Sequence, residues 1–205
     1  MKNIKKLIKE IIPPNNYQNR EGFSNKEIID NLSEGEKGKI ESHLLKMVKG
    51  TEDWLIGETL IYLNSEKAIP VFEENLYNAK EFNDKIFWAN SIFKMNQDSK
   101  MIDFVLEEVQ NLEDKSDLHF FFYHLAEFKD ERLNEIIRGY QDDDEYLVAY
   151  HALQSLGQDV SKAVNKSREK RNKASITKKE KPKKKNENKS KKQVTQKKKP
   201  WWKFW

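Results

Sequence analysis

Four histidines, His43, His119, His124 and His151, are the side chains of this sequence best suited to move protons near neutral pH, and no cysteine is present to act as nucleophile or thiolate ligand. Their spacing argues against a zinc site. A helix that binds zinc places two histidines at i and i+4 on one face, as in HExxH. His119 and His124 are five apart, which splits them around a helix. No motif gathers serine, histidine and acid into a nucleophilic set. Carboxylates cluster at Asp142-Asp143-Asp144-Glu145. Such a run can hold magnesium or calcium, but a calcium loop needs a glycine and a distal glutamate at fixed offsets, and both are missing. Acids placed where a helix begins, favoured by its macrodipole, explain every residue of the run. The expectation is no catalytic residue, no metal and no cofactor: the chain is not read as an enzyme.

Residues 197–205, KKKPWWKFW, suggest binding instead. Tryptophan joins an apolar body to a polar N–H and suits the headgroup level of a bilayer. Burying one ring completely contributes roughly 1.5–3 kcal/mol. Each lysine close to an anionic leaflet adds about 1 kcal/mol. Neither component alone would hold firmly; together they make an interfacial anchor. The expected surface-docking residues are Lys197, Lys198, Lys199, Trp201, Trp202, Lys203, Phe204 and Trp205. Two other occupants fit the same residues. The rings could fill a groove on a protein, including this one, while the lysines meet acids. They could also stack on unpaired bases while the lysines release phosphate counterions. Arginine, the better base-reader, occurs in residues 161–205 only as Arg168 and Arg171, so nucleic-acid binding would be non-specific.

Charge separates this segment from the rest. Residues 161–205 hold 19 Lys or Arg and three Glu, against 38 Lys or Arg and 34 Asp or Glu in the whole chain. Residues 1–160 therefore carry 19 positive and 31 negative groups. The formal net charge of +4 is the difference between an acidic body and a basic tail. The 37% hydrophobic content, low for a compact globule, averages the two parts. TKKEKPKKKNENKSKKQVTQKKKP has almost no apolar side chain and is expected to stay disordered. About 40 flexible residues would span roughly 35 Å, so tail and body could act at once.

The elements that must carry these groups all read as helix. Ile4, Leu7, Ile8, Ile11 and Ile12 form one stripe, ended by Pro13 and Pro14. Lys5, Lys6 and Lys9 interrupt the apolar residues, so this stretch is not read as a signal peptide. No apolar run is long enough to span a bilayer, which makes a cytoplasmic protein the default. Ser24 and Glu27, then Ser33 and Glu36, are spaced as capping boxes. From residue 51 the chain becomes rhythmic, with helices expected at about 52–63, 68–78, 84–95, 100–111, 117–128, 131–140 and 145–156, and one continuing to about 172. Short loops imply antiparallel hairpins. Each hairpin opens on an aspartate (Asp53, Asp84, Asp117, Asp144). An apolar residue follows seven or eight positions later (Leu60, Ile92, Leu125, Ala152) and another near the helix end (Leu63, Met95, Phe128, Leu156). Self-similarity at this period marks a solenoid.

On these residues the chain resembles HEAT-like repeats. AIPVFEENL at 68–76 resembles a repeat's second helix, and DDDEYLVAYHALQSLG at 142–157 resembles a later repeat's opening. Many such repeats carry an arginine after the valine, where this chain has Ala149. The resemblance covers about residues 51–160 and implies non-catalytic binding of a partner, as in scaffolds and small bacterial immunity proteins; DNA glycosylases are built on the same stack, but an acidic body would repel a phosphate backbone.

The sequence thus predicts an all-α protein: an N-terminal helix and linker (1–23), leading helices (24–50), a short right-handed HEAT-like solenoid (51–160) and a basic tail (161–205). In the aromatic run HFFFYHLAEF, Phe121, Leu125 and Phe128 share one stripe, and Phe120, Phe122 and Tyr123 cannot all join it. These three, with Trp54 and Trp88, are the candidate contacts for a protein partner, expected to be basic because the body is acidic. The expected function is a cytoplasmic binding scaffold, peripheral at an anionic membrane through its tail. A toxin-neutralising immunity protein and a nucleic-acid-associated protein are the alternatives.

Overall fold

The computed structural model describes residues 4–51, 53–112 and 118–179, the last seven by backbone alone, and among them every regular element is helical. The helices are α1 (Ile4–Ile11), α2 (Tyr17–Arg20), α3 (Lys26–Asp30), α4 (Glu34–Met47), α5 (Trp54–Tyr62), α6 (Ile69–Asn78), α7 (Phe82–Asn96), α8 (Lys100–Asn111), α9 (Phe122–Glu127), α10 (Glu131–Arg138), α11 (Tyr146–Ser155) and α12 (Ser161–Lys179). Tight 3-10 turns at Glu66–Ala68 and Leu118–Phe121 lead into α6 and α9. Two compact units divide the chain, Met1–Ser167 and Arg168–Trp205.

The N-terminal stripe forms as its spacing requires. Leu7, Ile8, Ile11 and Ile12 are buried, and α1 packs on α3 and α4. The Ser33–Glu36 capping box forms at the start of α4. The one expected at Ser24 and Glu27 does not, because Asn25 takes the cap position. Its amide turns inward instead and donates to Ile11 O at 3.1 Å and Thr59 Oγ1 at 2.7 Å, tying the leading helices to α5. Arg20 makes a second tie. It forks onto both oxygens of Asp53 at 3.2 and 2.7 Å and donates to the carbonyl of Pro13.

Beyond Asp53 the helices follow an ordered pattern. Each of α5, α7 and α9 packs against the next but one, α7, α9 and α11 in turn, while α6 and α8 both pack on α7, and α10 on α9 and α11. The recurring positions Leu60, Ile92, Leu125 and Ala152 are all buried, at 0–1% exposure. A second recurrence lies in the backbone. Asn64, Gln97, Lys129 and Gly157 all take positive φ, each just after a helix of this row. The left-handed residue reverses the chain into the next helix. Gly157 and Asn64 are residue types that favour this conformation, whereas Gln97 and Lys129 are not.

The opening aspartates do not share one role. Asp53 caps α5, accepting from Leu55 N at 3.3 Å. Asp84 sits inside the first turn of α7 and accepts from Trp54 Nε1 at 3.1 Å. Asp144 precedes the cap residue Glu145 and pairs with Lys166 at 3.1 Å. Asp117 lies outside the described residues. The basic tail, expected from residue 161, begins later as a structural unit. Ala163 on α12 is buried against Ala149 and Leu153, which binds the first turns of that helix to the body. The helix runs past 172 to Lys179, through residues that include no glycine or proline.

Candidate functional site

Residues 118–128 do not form the single helix expected from the sequence. Leu118–Phe121 is a 3-10 turn, in which every third residue shares a face, so Leu118 and Phe121 both point inward. The chain then relaxes into α9, and Phe122, Leu125 and Phe128 continue the same buried stripe. What remains outside is Phe120, 61% exposed, and Tyr123, 40% exposed. Phe122 is therefore a core residue packed against the Tyr140 ring at 5.2 Å, not a partner contact. Trp88 is corrected in the same way. It is 3% exposed, with its ring 4.8 Å from Phe87 and 5.4 Å from Phe72. Trp88 is covered by Phe72 from α6 and faces Gly57 of α5, and Phe122 is covered by Tyr140 just beyond α10. Trp54 is half-buried, stacked on Phe87 at 4.9 Å.

Helix α11 supplies the second half of the surface. Val148, Ala149, Ala152 and Leu153 face inward, which turns Leu147, Tyr150, His151 and Gln154 outward. Leu147 is 55% exposed. The Tyr123 hydroxyl bridges α9 to α11. It donates to Gln154 Oε1 and lies 3.2 Å from His151 Nδ1, an arrangement that makes Nδ1 the donor in the second contact. Rings then follow one another without a break. His119 is 4.0 Å from Phe120 and 6.0 Å from His151, Tyr123 is 5.8 Å from His151, Tyr150 is 5.7 Å from His151, and Tyr146 is 5.6 Å from Tyr150. Burial, and then the neighbouring His119, pushes His151 below the usual imidazole range. Burial, with Tyr150 second, raises the Tyr123 phenol, so both groups are neutral at pH 7. The surface offers aromatic faces and neutral hydrogen-bonding groups, which suits recognition.

The pairing of His119 with His151 escaped sequence reasoning, which compared His119 only with His124. Its signal was present: the two are 32 apart, close to the steps of 31 and 33 between the first three opening aspartates. Leu147, Tyr146 and Tyr150 were missed for the same reason. His124 turns its ring edge to Trp54 and Phe87, 6.2 Å from each, and lies 3.4 Å from Glu127. Burial would raise the Glu127 carboxyl, but contacts from His124 and Lys94 outweigh it and hold the group below its ordinary value. His43 is exposed on α4.

The acidic run ahead of α11 is occupied by local partners. Asp142 pairs with Lys162 at 2.6 Å, which lowers its carboxyl pKa, and Asp143 accepts from Glu145 N at 2.7 Å. Lys166 donates to the carbonyls of Asp142 and Asp143 as well as to Asp144. The run clamps the start of α12. Among the described residues no group of His, Cys, Asp or Glu is arranged to hold a metal, and no helix is long and apolar enough to cross a membrane. The expected surface-docking residues Lys197, Lys198, Lys199, Trp201, Trp202, Lys203, Phe204 and Trp205 lie outside the described residues. Comparison with known protein families, with curated proteins and with solved structures finds no match.

Proposed function

We propose that this chain is a non-catalytic binding scaffold: a short HEAT-like stack whose acidic body docks a basic protein, and whose Lys/Trp segment attaches to an anionic membrane surface. The ordered packing of α5, α7, α9 and α11 and the recurring left-handed turns support the stack. One observation carries the docking surface. Of the six exposed large hydrophobic residues among those described, three (Phe120, Tyr123 and Leu147) lie on the 3-10 turn before α9, on α9 and on α11, the elements that carry the His119–His151 pair. Exposed aromatics collected in one place are what a partner's buried hot spot needs. The excess of carboxylates in residues 1–160 favours a basic partner over a phosphate backbone. The same acidity supports a second reading, an immunity protein that covers the active site of a basic toxin.

Two experiments test this. A protein that stays bound through purification should be lost from the Phe120→Asp/Leu147→Asp double variant and retained by Tyr17→Ala. Equal retention by both overturns the docking surface. For the tail, the full chain should sediment with anionic vesicles at physiological salt, and a chain stopped at Lys199 should not. Sedimentation only with single-stranded DNA would replace the membrane by nucleic acid, and binding to neither would overturn both.

A further inference from the structure

A groove of about 480 Å³ opens on the body where α6 and α8 flank α7. It lies apart from the α9–α11 surface and does not depend on it. Its floor is apolar: Leu76 and Ala79 from the α6 side, Ile92 from α7, and Met101 and Phe104 from α8. Ile92 is fully buried, whereas Leu76, Met101 and Phe104 are only half-covered. Tyr77 stands at the rim with 89% of its surface open, the most exposed large hydrophobic residue of the described chain.

The rim is acidic. Glu73 and Glu108 line it, and Lys85 lies between 2.9 and 3.0 Å from both oxygens of Glu108 across the α7–α8 contact. Lys85 lines the groove as well and is the partner of Glu108, while Glu74 and Asp103 nearby pair with Lys49 and Arg132, so Glu73 is the exposed carboxylate of the lining. An isolated apolar hollow would accept any greasy side chain. With Glu73 and Glu108 against Lys85, the lining keeps one excess negative charge, which favours a basic segment over an acidic one. The unbranched Met101 thioether allows the floor to adapt to different side chains.

We propose that this groove docks an amphipathic segment of a partner protein, with one bulky apolar side chain seated between Leu76, Met101 and Phe104 and with lysine or arginine facing Glu73. Tyr77 closes over the seated side chain.

The probe is a synthetic helical peptide of about 15 residues, Leu and Phe on one face and Lys on the other, titrated into the full chain while backbone amide shifts are followed. Shifts should concentrate on Leu76, Tyr77, Met101 and Phe104. Affinity should fall roughly tenfold in Tyr77→Ala and in Glu73→Lys. Both sites are exposed, so these variants fold, and Tyr17→Ala is the matched control. A peptide with Glu in place of Lys should not bind. The proposal is overturned if the Lys peptide shifts only α9 and α11, which would leave the other docking surface standing. It is equally overturned if the Glu peptide binds as well, if neither variant weakens binding, or if no binding is seen.

Discussion

Two aromatic regions of this body are alike in composition and opposite in exposure. Around α5 and α7, Trp54, Phe72, Phe87 and Trp88 pack ring on ring, and three of the four are at most 3% exposed. Around α9 and α11, Phe120, Tyr123, Leu147 and Tyr150 meet solvent. The left-handed turns of the row make the comparison direct. Trp54, Phe87, His119 and Leu147 each lie ten residues before a left-handed residue, Asn64, Gln97, Lys129 or Gly157. The equivalent position is half-buried at Trp54, buried at Phe87 and His119, and exposed at Leu147. An aromatic residue is a packing element where other helices close over it, as Phe72 and Gly57 do at Trp88, and stays open where none does, as at Phe120.

Substitutions in the two regions break or sharpen this contrast. Trp88→Ala removes a buried ring and should cost about 3–5 kcal/mol in urea unfolding, whereas Phe120→Ala should stay within about 0.5 kcal/mol. Equal effects would show that the two regions are not opposites. Gly57 faces the same rings from α5, where an added Cβ would lie 3.1 Å from both Phe87 and Trp88. Gly57→Leu should therefore destabilise by about 1–3 kcal/mol, through overpacking between α5 and α7. At the turns, Lys129 holds φ +55°, a conformation unfavourable for a side chain. Lys129→Gly should stabilise by about 0.5–1 kcal/mol, a rise in the thermal midpoint that a purely local loop would not give if the turn were unstrained.

The smallest effect is the pH dependence of the exposed region. His151 binds its proton less tightly in the folded chain than in the unfolded one. Its contribution to stability is fully present above the ordinary histidine value and is lost as pH falls through the lowered folded value. Unfolding midpoints measured across that window should drop on acidification, and less so in His151→Gln. His151 lies in the proposed docking surface beside His119, so acidification should also weaken binding of the proposed basic partner there. Binding that is flat over the same window would remove the histidines from the contact.

The chain's periodicity was legible. Apolar spacing located the helices to within a few residues, because a helix that must bury one face repeats its apolar residues every three or four positions. The buried positions Leu60, Ile92, Leu125 and Ala152 were read from that rhythm. The Ser24–Glu27 cap was misread because two chemically suitable cap residues adjoin, and the choice fell to Asn25 once its amide found Ile11 and Thr59. The exposed aromatic surface was half legible. Phe120 and Tyr123 stood out as surplus to one stripe, but so did Phe122 and, elsewhere, Trp88, and spacing within one helix cannot say which surplus ring a neighbour will cover.

By itself, then, the sequence determined the helical class, the apolar faces and the division of charge between residues 1–160 and 161–205, because each is a property of local composition and period. Only the tertiary structure decided which aromatics are core, that His119 meets His151, and that α6 and α8 border a groove. Those outcomes depend on contacts between residues about one hairpin apart, where the identity of the neighbour is set by how whole helices stack.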